Sequence, residues 1–209
     1  MLLPFEVLTA FVFASAVLCL MPGPDNLFVL SQSALYGKKS GLFVTLGLCT
    51  GLIVHTVVVA LGLAVVIQNA SGVLIAIKLA GAAYLLYLAW LAFTAKAISG
   101  SNEAALQVSS AAMYRRGIIM NISNPKVSIF FLAFLPQFAS TDYGPLTSQM
   151  IFLGGVFILV TFAIFSLFAL MSGMLGNILR TRKNAQLYIN RVAGVVLTVL
   201  AIGLISTNV

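Results

Sequence analysis

Apolar residues fall into six long runs, at roughly Phe5 to Tyr36, Leu42 to Ile67, Val73 to Ala95, Gly117 to Phe138, Leu146 to Leu179 and Leu187 to Ile205. A helix that crosses a bilayer needs about 20 mostly apolar residues. The pattern therefore predicts an all-α chain of six membrane-spanning helices joined by short loops. The first run carries Glu6 where a secretory leader has a basic region, and its apolar stretch continues past Ala14-Ser15-Ala16, so it is read as a retained helix.

Two runs are interrupted. Phe5 to Tyr36 would be about 48 Å long as one straight helix, against about 30 Å of hydrocarbon. Within it lies Met21-Pro22-Gly23-Pro24-Asp25-Asn26. Two prolines around a glycine remove amide donors and disfavour helical geometry in the residue before each ring. The fourth run carries a similar interruption, Asn121-Ile122-Ser123-Asn124-Pro125-Lys126. Counted along a helix from the adjacent basic loops, the two motifs lie about 20 Å and 15 Å deep, which puts both near mid-depth. Broken backbone is tolerated at that depth only where it is buried in protein or lines a polar cavity.

Composition agrees with the pattern: 61% of residues are hydrophobic and 7% charged, with a mean hydropathy of +1.13, whereas a soluble domain carries about 25% charged residues. A soluble fold is excluded. Net charge is +7, but its placement speaks of topology and not of nucleic acid. Lys38, Lys39, Lys96, Arg115, Arg116, Arg180, Arg182 and Lys183, eight of the eleven basic residues, lie in alternate connections. The positive-inside rule then puts both termini outside. Residues 99–116 read as a cytoplasmic connecting loop that divides the chain into three-helix halves, 1–98 and 117–209. Halves with an odd number of spans are related by inversion across the membrane, as in many secondary transporters. Gly47 and Gly51 form a GxxxG pattern that permits close helix approach, and the surface is compatible with a homodimer.

Asp25 and Lys126 are the deepest charges. An amino acid offers an ammonium to the first and a carboxylate to the second, and a buried ion pair between them is the competing structural reading. Pro24, Asn26, Asn121, Asn124 and Pro125 complete the candidate substrate-binding set. His55, the single histidine, lies mid-span and joins Asp25 as a candidate for proton coupling. Lys78 and Arg191 lie near the starts of their spans, where long basic side chains reach the interface; Lys78 keeps a place as a candidate supporting residue. Cys19 and Cys49 lack the spacing of a redox or metal motif, and no cofactor or metal is expected.

The same residues resemble the LysE/RhtB group of bacterial exporters, named for lysine and for homoserine and threonine efflux. The likeness is carried by Pro22-Gly23-Pro24-Asp25-Asn26, by Gly41 to Gly51 followed by His55, and by Lys78-Leu79-Ala80-Gly81-Ala82-Ala83-Tyr84-Leu85. It continues through Asn121, Asn124-Pro125-Lys126 and Phe130-Phe131-Leu132-Ala133-Phe134-Leu135-Pro136-Gln137-Phe138. The resemblance implies a proton-driven amino-acid exporter of the bacterial inner membrane, built from two inverted helix triplets. A single intramembrane carboxylate favours neutral substrates over dibasic ones. A cation transporter or channel of the same architecture is the alternative, and the shortage of acidic ligands weighs against it. An intramembrane enzyme is not expected, because a GxSG motif and a second buried aspartate are both missing.

Overall fold

The computed structural model describes residues 3–21, 23–69, 71–94, 109–172 and 183–206, and every regular element among them is helical. Helix α1 spans Phe5–Leu20, α2 Pro24–Tyr36, α3 Lys38–Asn69, α4 Ser71–Thr94, α5 Ser110–Ile122, α6 Pro125–Ile129, α7 Leu146–Leu170 and α8 Lys183–Ser206. After α6 the chain passes through a π-helical stretch, Phe130–Phe134, and a 3-10 turn, Leu135–Phe138.

Both sequence interruptions are breaks, and they share one local construction. Met21 ends α1 in extended geometry, as a residue before proline should. Gly23 is extended too, and Pro24 opens α2 at its first position, where a missing N–H costs nothing. In the second break Asn124 is extended, its side-chain oxygen accepts from the Lys126 amide at 3.0 Å, and Pro125 opens α6. The chain bends by 58° at the first break and by 50° at the second. Asp25 and Lys126 consequently hold equivalent places, directly after the opening proline.

Helices α3 and α7 are each long and apolar enough to cross a membrane, and the two bent pairs add two more crossings if each is one span. Helices α4 and α8 contribute further apolar stretches, Leu79–Thr94 and Asn190–Gly203. The observed starts differ from the expected ones in two places. Helix α3 begins at Lys38, separated from α2 by Gly37 alone, whose φ of 87° suits a residue without Cβ. Helix α5 begins at Ser110, capped by the Ser109 hydroxyl, so the basic pair Arg115 and Arg116 sits in helix and not in the connecting loop. The charged residues Lys96, Arg180 and Arg182 lie outside the described residues.

Helix α3 is central, packed on α5 along one side and on α7 along another; α4 packs on α8, and α1 on α7. Matching α1, α3 and α4 to α5, α7 and α8 turns the α1–α7 contact into α5–α3, whereas the α2–α3 packing has no α6–α7 counterpart of like extent. The α3–α5 contact is a glycine seam. A Cβ on Gly47 would lie 2.1 Å from the Tyr114 carbonyl oxygen, and one on Gly117 would lie 2.4 Å from that of Val44. The Thr50 and Tyr114 hydroxyls bridge the same two helices at 2.9 Å.

Polarity runs from inside to outside. Phe13, Leu61, Trp90, Leu159 and Val199 are exposed, whereas Asp25, Asn26, Asn121, Asn124, Lys126 and Thr161 are buried. In water this arrangement would waste apolar surface and strand polar groups. With hydrocarbon as the solvent it is the expected arrangement.

Candidate functional site

A helix that ends inside a protein leaves its last carbonyls without partners. At the end of α1 those carbonyls are met by side chains from the two breaks: the Lys126 ammonium donates to the Leu18 oxygen at 3.3 Å, and the Asn26 amide donates to the Cys19 oxygen. Lys126 is in the first turn of α6, where that helix's own dipole repels a cation, but its side chain reaches the negative end of α1, which attracts one. Asp25 sits in the first turn of α2, the end that favours an anion. Gly23 keeps the approach open, since a Cβ there would stand 3.0 Å from the Lys126 nitrogen. The Lys126 side chain therefore joins the second break to the first.

Asp25 and Lys126 are 2% and 5% exposed and line one pocket together with Asn121. Each lies in the electrostatic field of the other, yet they do not close into a direct ion pair. Four buried polar atoms around the breaks have no hydrogen-bond partner: Asp25 Oδ1, Asn26 Oδ1, Asn121 Oδ1 and Asn124 Nδ2. The Asn124 side chain borders the Asp25 carboxylate, although its Nδ2 does not reach ordinary hydrogen-bond geometry. Leaving such atoms unpaired costs about 1–3 kcal/mol each, so this cluster calls for a ligand or water. The free space at the pocket centre is about 10 Å³, room for about one water. Its other walls are Leu18, Leu52, Val127, Phe157 and Phe165, with Cys19 and Thr161 as the remaining polar pair.

The set expected from sequence is divided by the fold. Asp25, Asn121 and Lys126 line the pocket; Asn26 and Asn124 are buried but do not line it, and Asn124 borders the groove. Pro24 and Pro125 are exposed and line a separate groove; rigid rings make the breaks but do not face the pocket. His55, on α3, is half-buried, and its Nε2 lies 3.3 Å from the Asn121 carbonyl, which leaves the imidazole as donor. It packs 5.6 Å from the Phe131 ring. The histidine thus touches the second break and lies in the field of Asp25. Lys78 is in α4, but its side chain lies outside the described residues. Cys19 and Thr161 were not legible as site residues, and the structure brings their Sγ and Oγ1 to 3.3 Å. The signal available was small: Cys19 precedes the first break by three residues, and Thr161 is a polar residue inside an apolar run.

The fold and site define a helical membrane protein in which buried polar side chains converge on one small pocket. Residues 16–208 match the family described as LysE type translocator, and the chain belongs to it. It is 33% identical to the uncharacterized membrane protein YrhP of Bacillus subtilis over 162 residues, 73% of this chain and 77% of that one. It is 30% identical to the homoserine/homoserine lactone efflux protein of Salmonella typhimurium over 165 residues, 79% of this chain and 80% of that one. A Vibrio cholerae membrane protein is 27% identical across 90% of this chain and 91% of its own length. No solved structure matches.

Proposed function

We propose that the chain is a secondary transporter of the bacterial inner membrane that exports a neutral amino acid, or a close derivative, in exchange for protons. The observation that carries this reading is the convergence of Asp25 and Lys126, one from each broken helix, on a single buried pocket with unpartnered polar atoms. In this reading the six spans form two inverted triplets with both termini outside, and the pocket lies near the bilayer midplane. The shared construction of the two breaks and the correspondence of the α1–α7 and α3–α5 contacts support the repeat, and the basic residues of the α2–α3 and α5 ends support the orientation.

The unpartnered atoms suit a zwitterion. At the pocket, Asp25 Oδ1 and Asn121 Oδ1 are acceptors for an ammonium and Lys126 Nζ is a donor for a carboxylate, while Asn26 Oδ1 and Asn124 Nδ2 are further unpartnered groups at the breaks. Leu52, Val127, Phe157 and Phe165 give the pocket an apolar wall suited to an uncharged side chain once the pocket widens from its present one-water volume. Among the described residues Asp25 is the one carboxylate at the pocket, which is too few oxygens for a hard cation. Coupling follows from competition at that carboxylate: it holds either the substrate ammonium or a proton. A proton arriving from outside releases the substrate, and its departure to the cytoplasm restores the site. In this reading His55, which donates to the backbone of the second break and lies in the field of Asp25, relays that proton.

The test is transport in proteoliposomes loaded with radiolabelled amino acids, homoserine among them, with and without an imposed pH gradient. Gradient-dependent movement that Asp25→Asn and Lys126→Ala both abolish supports the reading. Movement that persists in both variants, or that ignores the gradient, removes it.

A further inference from the structure

Helices α2 and α5 both run between the breaks and the basic face of the molecule, yet they make few contacts with each other. The space between them is a groove of about 520 Å³, within the range of small-molecule sites and far larger than the closed pocket. Pro24, Asn124 and Pro125 form its inner end, each adjacent in sequence or directly bonded to a residue of the pocket. Phe28, Ile119 and Met120 form its apolar walls, and Arg116 stands at its outer end. Among the described residues Arg116 has no ion-pair partner, and it is the one charged side chain in the groove. The groove therefore offers a cation, an apolar wall and a polar inner end in series along about 12 Å of helix.

We propose that this groove is a second binding site, at which Arg116 holds the carboxylate of an amphipathic substrate on the basic face before it passes between Pro24 and Pro125 into the pocket. A guanidinium suits a carboxylate because it donates two parallel hydrogen bonds. The apolar walls take the substrate's carbon chain. A phospholipid headgroup presents the same anionic chemistry and is the competing occupant. The inference rests on the transport reading for its role but not for its chemistry.

Two measurements test it. Met120→Cys puts a thiol one helical turn from Arg116, in a parent whose own cysteines, Cys19 and Cys49, are buried. Inverted membrane vesicles are labelled with anionic and cationic methanethiosulfonates of equal size, and the parent gives the background. The expected result is labelling from the basic face with the anionic reagent faster, a preference kept by Arg116→Lys and lost in Arg116→Gln. No labelling, or equal rates, overturns the site, and a lipid seated in the groove gives the first of these. In proteoliposomes, Arg116→Gln is expected to raise the KM for homoserine about tenfold with little change in the maximal rate. The KM for homoserine lactone, which has no carboxylate, stays near the parent's, and an equal rise for both overturns the carboxylate role. Anion preference at Met120→Cys alongside full transport by Asp25→Asn would leave the groove standing and remove the pocket reading.

Discussion

The carboxylate of Asp25 is buried with one oxygen unpaired, while the nearby ammonium of Lys126 is engaged by the Leu18 carbonyl. A pair whose purpose was to tie the two halves together would have closed into a direct contact, because an uncompensated buried charge is costly. Here the cation is held by a helix end and the anion is left facing a gap. We predict that Lys126→Met destabilises the protein by about 1.5–3 kcal/mol, the worth of a hydrogen bond from a charged group, as read by thermal unfolding in detergent. Asp25→Asn keeps the shape, removes only the charge, and should leave the unfolding midpoint near the parent's while transport fails. Equal loss of stability in both would mean that the charges serve structure. The pocket's charged members were legible in the sequence because an ionisable residue deep in an apolar run has few structural excuses. Cys19 and Thr161 were not, since their meeting at 3.3 Å joins residues 142 positions apart. Pro24 and Pro125 create the breaks, as their rings imply, and line the groove beside the pocket.

Among the elements, the α3–α5 seam positions the second break, because Gly51 lies against the Asn121 side chain. A Cβ at Gly51 would come within 2.7 Å of both Asn121 Cβ and Asn121 Oδ1, whereas one at Gly47 would meet backbone, and one at Gly62 of the same helix would meet nothing within 4 Å. Three substitutions to alanine should therefore behave differently. Gly47→Ala forces two backbones apart and should cost about 1–3 kcal/mol. Gly51→Ala should also cost stability, because the Asn121 Cβ it meets is fixed to the α5 backbone, and should in addition lower substrate affinity, because Asn121 is displaced at the pocket. Gly62→Ala should be neutral or slightly stabilising, since alanine is favoured over glycine in a helix by about 1 kcal/mol. Unfolding midpoints and homoserine KM values for the three variants check the order, and a uniform response would show that the seam does not support the site. The GxxxG pattern announced this contact without naming its partner, since a small-residue spacing fixes which face approaches but not which helix arrives. Helix boundaries were legible where proline stops them. At Ser110 the start was missed because a serine cap and an alanine run look the same in a loop as in a first turn.

For the molecule as a whole, the two sides of the pocket are closed to different depths. Toward the basic face only the break residues separate it from the α2–α5 groove. Toward the opposite face lies a stack of rings from α1, the π-helical stretch and α7: Phe130 is 4.9 Å from Phe157, Phe131 is 5.3 Å from Phe157, and Phe138 is 5.1 Å from both Phe11 and Phe134. A π-helical turn widens the backbone ladder and is common at functional places; here it carries three rings into the seal. Beyond it, Gln149 clamps the connection to α7 through the Ser140 and Gly144 carbonyls at 2.7 and 2.8 Å. An alternating-access carrier must never open both sides together, so on the proposed transport reading the ring stack would be the barrier. We predict that Phe130→Ala with Phe157→Ala raises passive leak of homoserine from loaded vesicles about tenfold, which is a barrier lowered by about 1.4 kcal/mol, even with no pH gradient. Phe28→Ala, on the groove side that is already open, should not raise leak whatever it does to affinity. If the double variant proves as tight as the parent, the barrier lies elsewhere and the thickness of the ring stack reflects packing alone. If Phe28→Ala leaks as well, the open and closed sides have been assigned in the wrong order, and the groove is the gate that holds the substrate in.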